Sequence, residues 1–148
     1  MLMTDMLLFL DFDGVLHPVS GSKPFQPACM EVLSSALTEY PEIRVVITSS
    51  WREEKTLTEL QNYLAPVLSL RVVGVTPVID EPFLHHVRYH EVQAYLKNTM
   101  QETTPWVAID DEPGTYPNYA PILLTDRRHG LVERDKEKLI KLIEVVRN

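Results

Sequence analysis

Apolar residues in this chain fall into short unbroken runs, separated by stretches in which they recur every three or four positions. Met6 to Leu10 is wholly apolar and too short for a helix, so it predicts a first strand buried on both faces. Cys29, Val32, Leu33, Ala36, Leu37 and Tyr40 then repeat at helical spacing behind Pro27, a good first-turn residue, and Pro41 ends the pattern. Arg44 to Ile47 predicts a second strand. Ser49 or Ser50 is the expected cap of a helix whose inward face is Leu57, Leu60 and Leu64, closed by Pro66. Leu70 to Val75 predicts a third strand. Beyond a loop carrying Pro77 and Pro82, a helix is expected over 88–100, with Val92, Tyr95 and Leu96 toward the sheet. Trp106 to Ile109 and Ile122 to Leu124 predict the last two strands, and Leu139, Ile140, Leu142, Ile143 and Val146 mark a closing helix.

Strands alternating with helices predict an α/β fold, here a Rossmann-like three-layer α/β/α sandwich around a central parallel sheet of about five strands. No repeat, low-complexity stretch or linker interrupts the alternation, and 148 residues with 45% hydrophobic content suit a single domain over 1–148.

A net charge of −7 argues against a surface broadly adapted to nucleic-acid phosphates, although a local basic patch would survive that average. The single cysteine, Cys29, excludes an internal disulfide. With no basic segment ahead of a long apolar stretch, neither a secretory signal nor a membrane span is expected, which makes the cytoplasm the expected location.

The chemistry gathers where predicted strands end. Asp11 and Asp13 follow the first strand two positions apart, so both emerge on one side of the chain as it leaves the sheet. Gly14 then permits a sharp departure and a close backbone approach to a ligand. Thr48 ends the second strand, and Asp110 and Asp111 end the fourth. Parallel α/β sheets bind ligands outside the carboxyl ends of their strands, so these distant residues are expected to converge. Several carboxylates in one place repel one another, and a hard divalent cation resolves the repulsion. Magnesium prefers a few carboxylates with a carbonyl and waters, whereas zinc favours histidine or cysteine.

In this order and spacing the residues resemble the haloacid dehalogenase (HAD) superfamily of phosphohydrolases over nearly the whole chain. Asp11-Phe12-Asp13-Gly14-Val15-Leu16 looks like its first motif, Val45-Val46-Ile47-Thr48 like its second, and Val107-Ala108-Ile109-Asp110-Asp111 like its fourth. Thr48-Ser49-Ser50-Trp51-Arg52, Arg88 to Leu96 and Gly130-Leu131 look most like a small capless group that includes domains of RNA repair proteins.

The resemblance implies a role for each residue. Asp11 would attack phosphorus and form an aspartyl-phosphate, and Asp13 would protonate the leaving oxygen and then activate the hydrolytic water. Mg2+ would be held by Asp11, Asp13 through its carbonyl, and Asp110 or Asp111. Thr48 would donate to phosphoryl oxygens, with Gly14, Ser49 and Arg52 as further substrate contacts. The third motif needs a cation: Arg88 opens the helix before the fourth strand and could bridge nucleophile and phosphate with its fixed fork, and Lys97 is the alternative.

Other polar residues have plainer readings. Trp51 suits packing better than stacking on a base. His86 and His90 have the spacing of a metal pair, and His85 adjoins them, but no ligand cluster accompanies them. Arg127, Arg128 and His129 read as a solvated basic loop, and Glu112 and Asp126 as structural residues.

Without a cap, only Leu16 to Gln26 could form a flap, so the site should be open and suited to a phosphate on a large molecule such as a nucleic-acid end. Two other classes share parts of this pattern. A receiver-like signalling module would be phosphorylated on an aspartate ending its third strand, whereas this third strand ends near Gly74 with none. A non-catalytic binding protein on the HAD fold would need none of the chemical groups.

Overall fold

The computed structural model describes residues 5–20 and 25–148. The elements run β1 (Met6–Leu10), α1 (Pro27–Leu37), β2 (Ile43–Ile47), α2 (Leu57–Tyr63), β3 (Val72–Val75), α3 (Val87–Asn98), β4 (Trp106–Asp110), β5 (Ile122–Leu124) and α4 (Glu133–Arg147). Strand order is β3-β2-β1-β4-β5 with every pairing parallel, the Rossmann-like arrangement that the alternation of runs predicts.

The apolar run of β1 makes it the middle strand, paired with β2 from Met6↔Ile43 to Leu10↔Ile47 and with β4 from Leu7↔Trp106 to Leu10↔Ile109. Its side chains alternate between two cores. Met6, Leu8 and Leu10 join Val45, Ile47, Val107 and Ile109 beneath residues of α1, α2 and α4, including Leu33, Leu60 and Leu139. Leu7 and Phe9 join Val46 and Ala108 against Val92 and Leu96 of α3, with Tyr95 and Trp106 partly buried around them. Burial on both faces is what a wholly apolar strand requires.

Local differences from the sequence reading have identifiable causes. Ser49 caps a short 3-10 turn over Ser50–Glu53, and α2 is capped by Thr56, whose hydroxyl accepts from Glu59 N (3.2 Å) while Glu59 Oε1 accepts from Thr56 N (2.9 Å). Leu57 is 38% exposed, leaving Leu60 and Leu64 as the buried face. β3 starts at Val72 because Ser69–Arg71 closes a second 3-10 turn that leaves Leu70 outside. No aspartate follows β3 directly; Thr76 does.

Residues 21–24 of the expected flap lie outside the described residues. On either side of them, Leu16 and His17 are buried, Val19 N donates to Arg127 O (2.8 Å), and Phe25 packs on Phe12 and Trp51. Among the described residues no further domain covers the carboxyl ends of the strands, and no helix is long and apolar enough to cross a membrane.

Candidate active site

The chain reverses its direction of travel across the sheet between β3 and β4, which opens a crevice beside β1. Backbone pairing continues past the strand ends: Asp11 N donates to Ile109 O (3.1 Å) and Thr48 N to Leu10 O (2.9 Å), so both residues leave the sheet in fixed positions. Gly14 has a φ of +76°, and a Cβ there would lie 2.2 Å from Asp111 Oδ2. Its missing side chain is therefore the space in which Asp111 sits. Thr125 Oγ1 donates to Gly14 O (2.7 Å) and ties this turn to the end of β5.

Asp11, Asp110 and Asp111 are buried, and one carboxylate oxygen of each lies within 4.8 Å of those of the other two. Burial, and then the neighbouring charges of Asp110 and Asp111, push the Asp11 carboxyl well above its usual range. Burial also dominates at Asp110, pushed up to about 6, although it accepts a hydrogen bond from Glu112 N (2.9 Å). Three anions removed from water at this spacing are unfavourable without a counterion. The all-oxygen donor set fits a hard cation such as magnesium and lacks the nitrogen and sulfur ligands zinc prefers. Thr48 Oγ1 is buried without a partner beside this cluster's strand, as an atom reserved for a ligand would be.

Asp13 lines the same cavity but has different partners. Its Oδ1 lies 2.8 Å from His17 Nε2, and both its oxygens accept from Trp51 Nε1 at 3.2 Å. His17 Nδ1 donates to Pro18 O (2.8 Å), which fixes the ring with Nε2 toward Asp13. Trp51 is held in turn by Phe12, Phe25 and Tyr63. The two aspartates of one turn thus occupy different environments, one among anions and the other among donors.

Arg88, in the first turn of α3, lines a cavity of about 220 Å³ with Asp11, Asp13, Asp110 and Asp111. Its Nη1 donates to Glu91 Oε1 (2.8 Å), and Glu91 Oε2 pairs with Arg52 Nη2 (2.8 Å). Burial acts to lower the Arg88 guanidinium, but the hydrogen bond and charge of Glu91, joined by Asp11 and Asp110, outweigh it and raise the group. Arg88 stays a cation facing the carboxylates.

A family model for the HAD domain in Swiss Army Knife RNA repair proteins matches residues 7–136. The chain belongs to this family. No curated protein and no solved structure matched the chain. Membership in the HAD family points to phosphohydrolase chemistry.

Some residues that the sequence places with Asp11 are directed away from the cavity. Arg52 is buried, its Nε donating to Thr76 O (2.9 Å), its Nη1 to Thr48 O (2.7 Å) and Ser49 O (3.0 Å), and its Nη2 to Pro77 O (3.2 Å). These contacts and Glu91 use its donors to join the turn after β2 to the loop after β3. Ser49 is buried as the cap of the 3-10 turn, while the neighbouring Ser50 lines the cavity. Lys97 is exposed in the last turn of α3, at the end away from Arg88. Among the described residues, Asp11, Asp110 and Asp111 form the one group of three or more potential metal ligands, and His85, His86 and His90 form none. Arg127 approaches Asp111 (3.6 Å) and Glu112 (3.6 Å), while Arg128 pairs with Asp126 (2.8 Å) on the surface.

Three residues that sequence reasoning missed belong to the surroundings of the site. Glu91 stands three positions after Arg88 on one helix, a spacing that signals a pair. His17 follows Asp13 by four positions but within a turn, where spacing carries no such signal. Tyr116 lies in an irregular loop; its hydroxyl is buried without a partner and is pushed well above the usual phenol range by burial and then by Asp110.

Proposed function

We propose that residues 1–148 act as one HAD-like hydrolase domain, a magnesium-dependent phosphomonoester hydrolase of the cytoplasm working through an aspartyl-phosphate. The observation that carries this reading is the contrast between Asp11 and Asp13, two residues apart yet serving opposite needs. Asp11 attacks phosphorus in line, and the bond to the leaving oxygen breaks as the new acyl-phosphate bond forms. Asp13, held by His17 and Trp51, gives a proton to that oxygen and afterwards takes one from the water that cleaves the intermediate. Arg88 orients the phosphoryl group and balances its charge, and Thr48 Oγ1 and the amides near it supply neutral donors. Asp11, Asp110, Asp111 and the Asp13 carbonyl would hold magnesium, which when bound neutralises the charge between nucleophile and phosphate.

The cavity of about 220 Å³ accommodates a phosphoryl group rather than a whole metabolite, since ligand pockets usually run from about 300 to 1,000 Å³. Together with the family's association with RNA repair proteins, this supports a phosphate carried on a larger molecule such as a nucleic-acid end. Magnesium-dependent hydrolysis of an aryl phosphate tests the reading. Asp11→Asn is expected to abolish turnover and the acid-stable trapping of phosphate on the protein; retention of full activity would falsify the assignment of the nucleophile.

A further inference from the structure

A groove of about 660 Å³ adjoins the catalytic cavity, and Glu112 lines both. Tyr116 lines the groove, and its buried hydroxyl has no hydrogen-bond partner. The groove exists because β5 is an edge strand. α4 covers the face of β5 that carries Leu123, and Ile122 and Leu124 alternate to the opposite face, where Leu124 stays 46% exposed. Pro117 and Tyr119 complete the apolar wall. Tyr119 is 75% exposed, with its ring edge-on to Tyr89 at 6.0 Å.

We propose that this groove is the leaving-group subsite of the phosphohydrolase site and takes a neutral, planar aromatic group attached to the phosphoryl oxygen. The inference rests on the activity proposed above. Three observations favour that occupant. The volume lies within the range of small-molecule sites. Tyrosine rings present flat faces and edges that suit another ring. Among the described residues no lysine or arginine lines the groove, and its ionisable side chains besides the tyrosines are His86 and Glu112, so the lining suits an uncharged ring better than an extended polyanion. Continuity through Glu112 sets the direction, with phosphate inward and ring outward.

The test compares 2-(2-naphthyl)ethyl phosphate with ethyl phosphate in the full chain with magnesium. Both esters release a primary alcohol of similar acidity, so the ratio of their kcat/KM values reads the ring alone. We expect the naphthyl ester to be preferred by about tenfold or more, the order of one ring stacked on an aromatic side chain. Tyr119→Ala and Leu124→Ser, at exposed positions, should each cut that ratio several-fold. Equal kcat/KM for the two esters, or a ratio unchanged in both variants, overturns the subsite and leaves the phosphatase reading standing. If neither ester is turned over, the phosphatase reading fails. Amide and methyl NMR shifts on titrating the naphthyl ester then decide the groove alone: changes centred on Tyr119, Ile122 and Leu124 uphold it, and their absence overturns it. Adenosine 3′- and 5′-monophosphates form a further arm. If they outcompete the naphthyl ester the ring is a nucleobase, and if they are poorer it is a non-nucleotide aromatic.

Discussion

Arg52 and Glu91 form an ion pair at 2.8 Å in which each side chain is only 1% exposed. Through it the turn after β2, the loop after β3 and the N-terminal half of α3 are joined, and Arg88 pairs with the same carboxylate. Removing Arg52 leaves Glu91 with Arg88 as its partner, so the loss falls short of the ~3–5 kcal/mol of a fully unpaired buried charge, but four backbone carbonyls lose their donor as well. Arg52→Ala is therefore expected to lower Tm markedly, by about 2–4 °C for each kcal/mol in a chain of this size. A surface control, Arg128→Ala, should leave Tm nearly unchanged. If Arg52 instead served mainly to hold substrate, its removal would raise KM with Tm preserved.

The acidic cluster makes stability without metal depend on pH in a definite direction. Asp110 is pushed up to about 6 and Asp11 is also raised, so the folded protein holds protons that the unfolded chain releases near pH 4. Their favourable contribution is complete below the unfolded pKa and is lost as pH rises through the folded one. In EDTA, Tm should fall between about pH 4 and 7 relative to an Asp110→Asn variant. Magnesium should restore it, and more strongly at pH 7.5 than at pH 5, by about 2.7 kcal/mol at a hundred times its Kd. A magnesium effect independent of pH over that range would count against the carboxylates as ligands.

Asp13 is assigned to proton transfer, so its importance should follow the leaving group. General acid–base catalysis contributes about 10²–10⁴-fold. Asp13→Asn is expected to lower kcat/KM, which reports leaving-group departure and not the later hydrolysis common to both esters, by that order for an alkyl ester and by much less for 4-nitrophenyl phosphate, whose leaving group departs without a proton. His17→Ala and Trp51→Phe should show weaker forms of the same pattern, because each removes one of the contacts that hold the carboxylate. Equal losses on both esters would remove Asp13 from that role.

Gly14→Ala offers a separate check on Asp111. The new Cβ meets Asp111 Oδ2 at 2.2 Å, and the φ of +76° disfavours any side chain, a strain of about 1–3 kcal/mol. Gly114→Ala shares the positive φ, +95°, but has nothing within 4 Å. Both variants should lose stability, and only Gly14→Ala should also lose the rise in Tm with magnesium. Equal magnesium responses would show that Asp111 has no part in holding the metal.

What the sequence made legible follows from the range of the forces involved. The limits of β1 could be read directly, because a strand buried on both faces must be apolar at every position, and those of β5 from its short apolar run, although only Leu123 of that edge strand is buried. Thr56 was passed over as a cap because Ser49 and Ser50 stand nearer the end of β2; the 3-10 turn between them leaves no local signature. The convergence of Asp11, Asp110 and Asp111 was legible from strand ends alone, since parallel pairing fixes where the ends meet. The partners of Arg52 were not, because the backbone carbonyls it satisfies belong to every residue type and mark no sequence. Tyr116 escaped notice for a similar reason: nothing in an irregular loop indicates which way a ring will turn.

The central place of β1 also bears on how the chain is made. β1 emerges first, and β2 can pair with it early, but its other edge waits for β4 about a hundred residues later. Until Trp106 to Asp110 leaves the ribosome, the run Met6 to Leu10 presents an open apolar edge of the kind that draws in other strands. The same late pairing brings Asp110 and Asp111 to Asp11, so on the proposed assignment the magnesium site would form only in the step that closes that edge, and the cation would favour the finished fold over its sticky precursor.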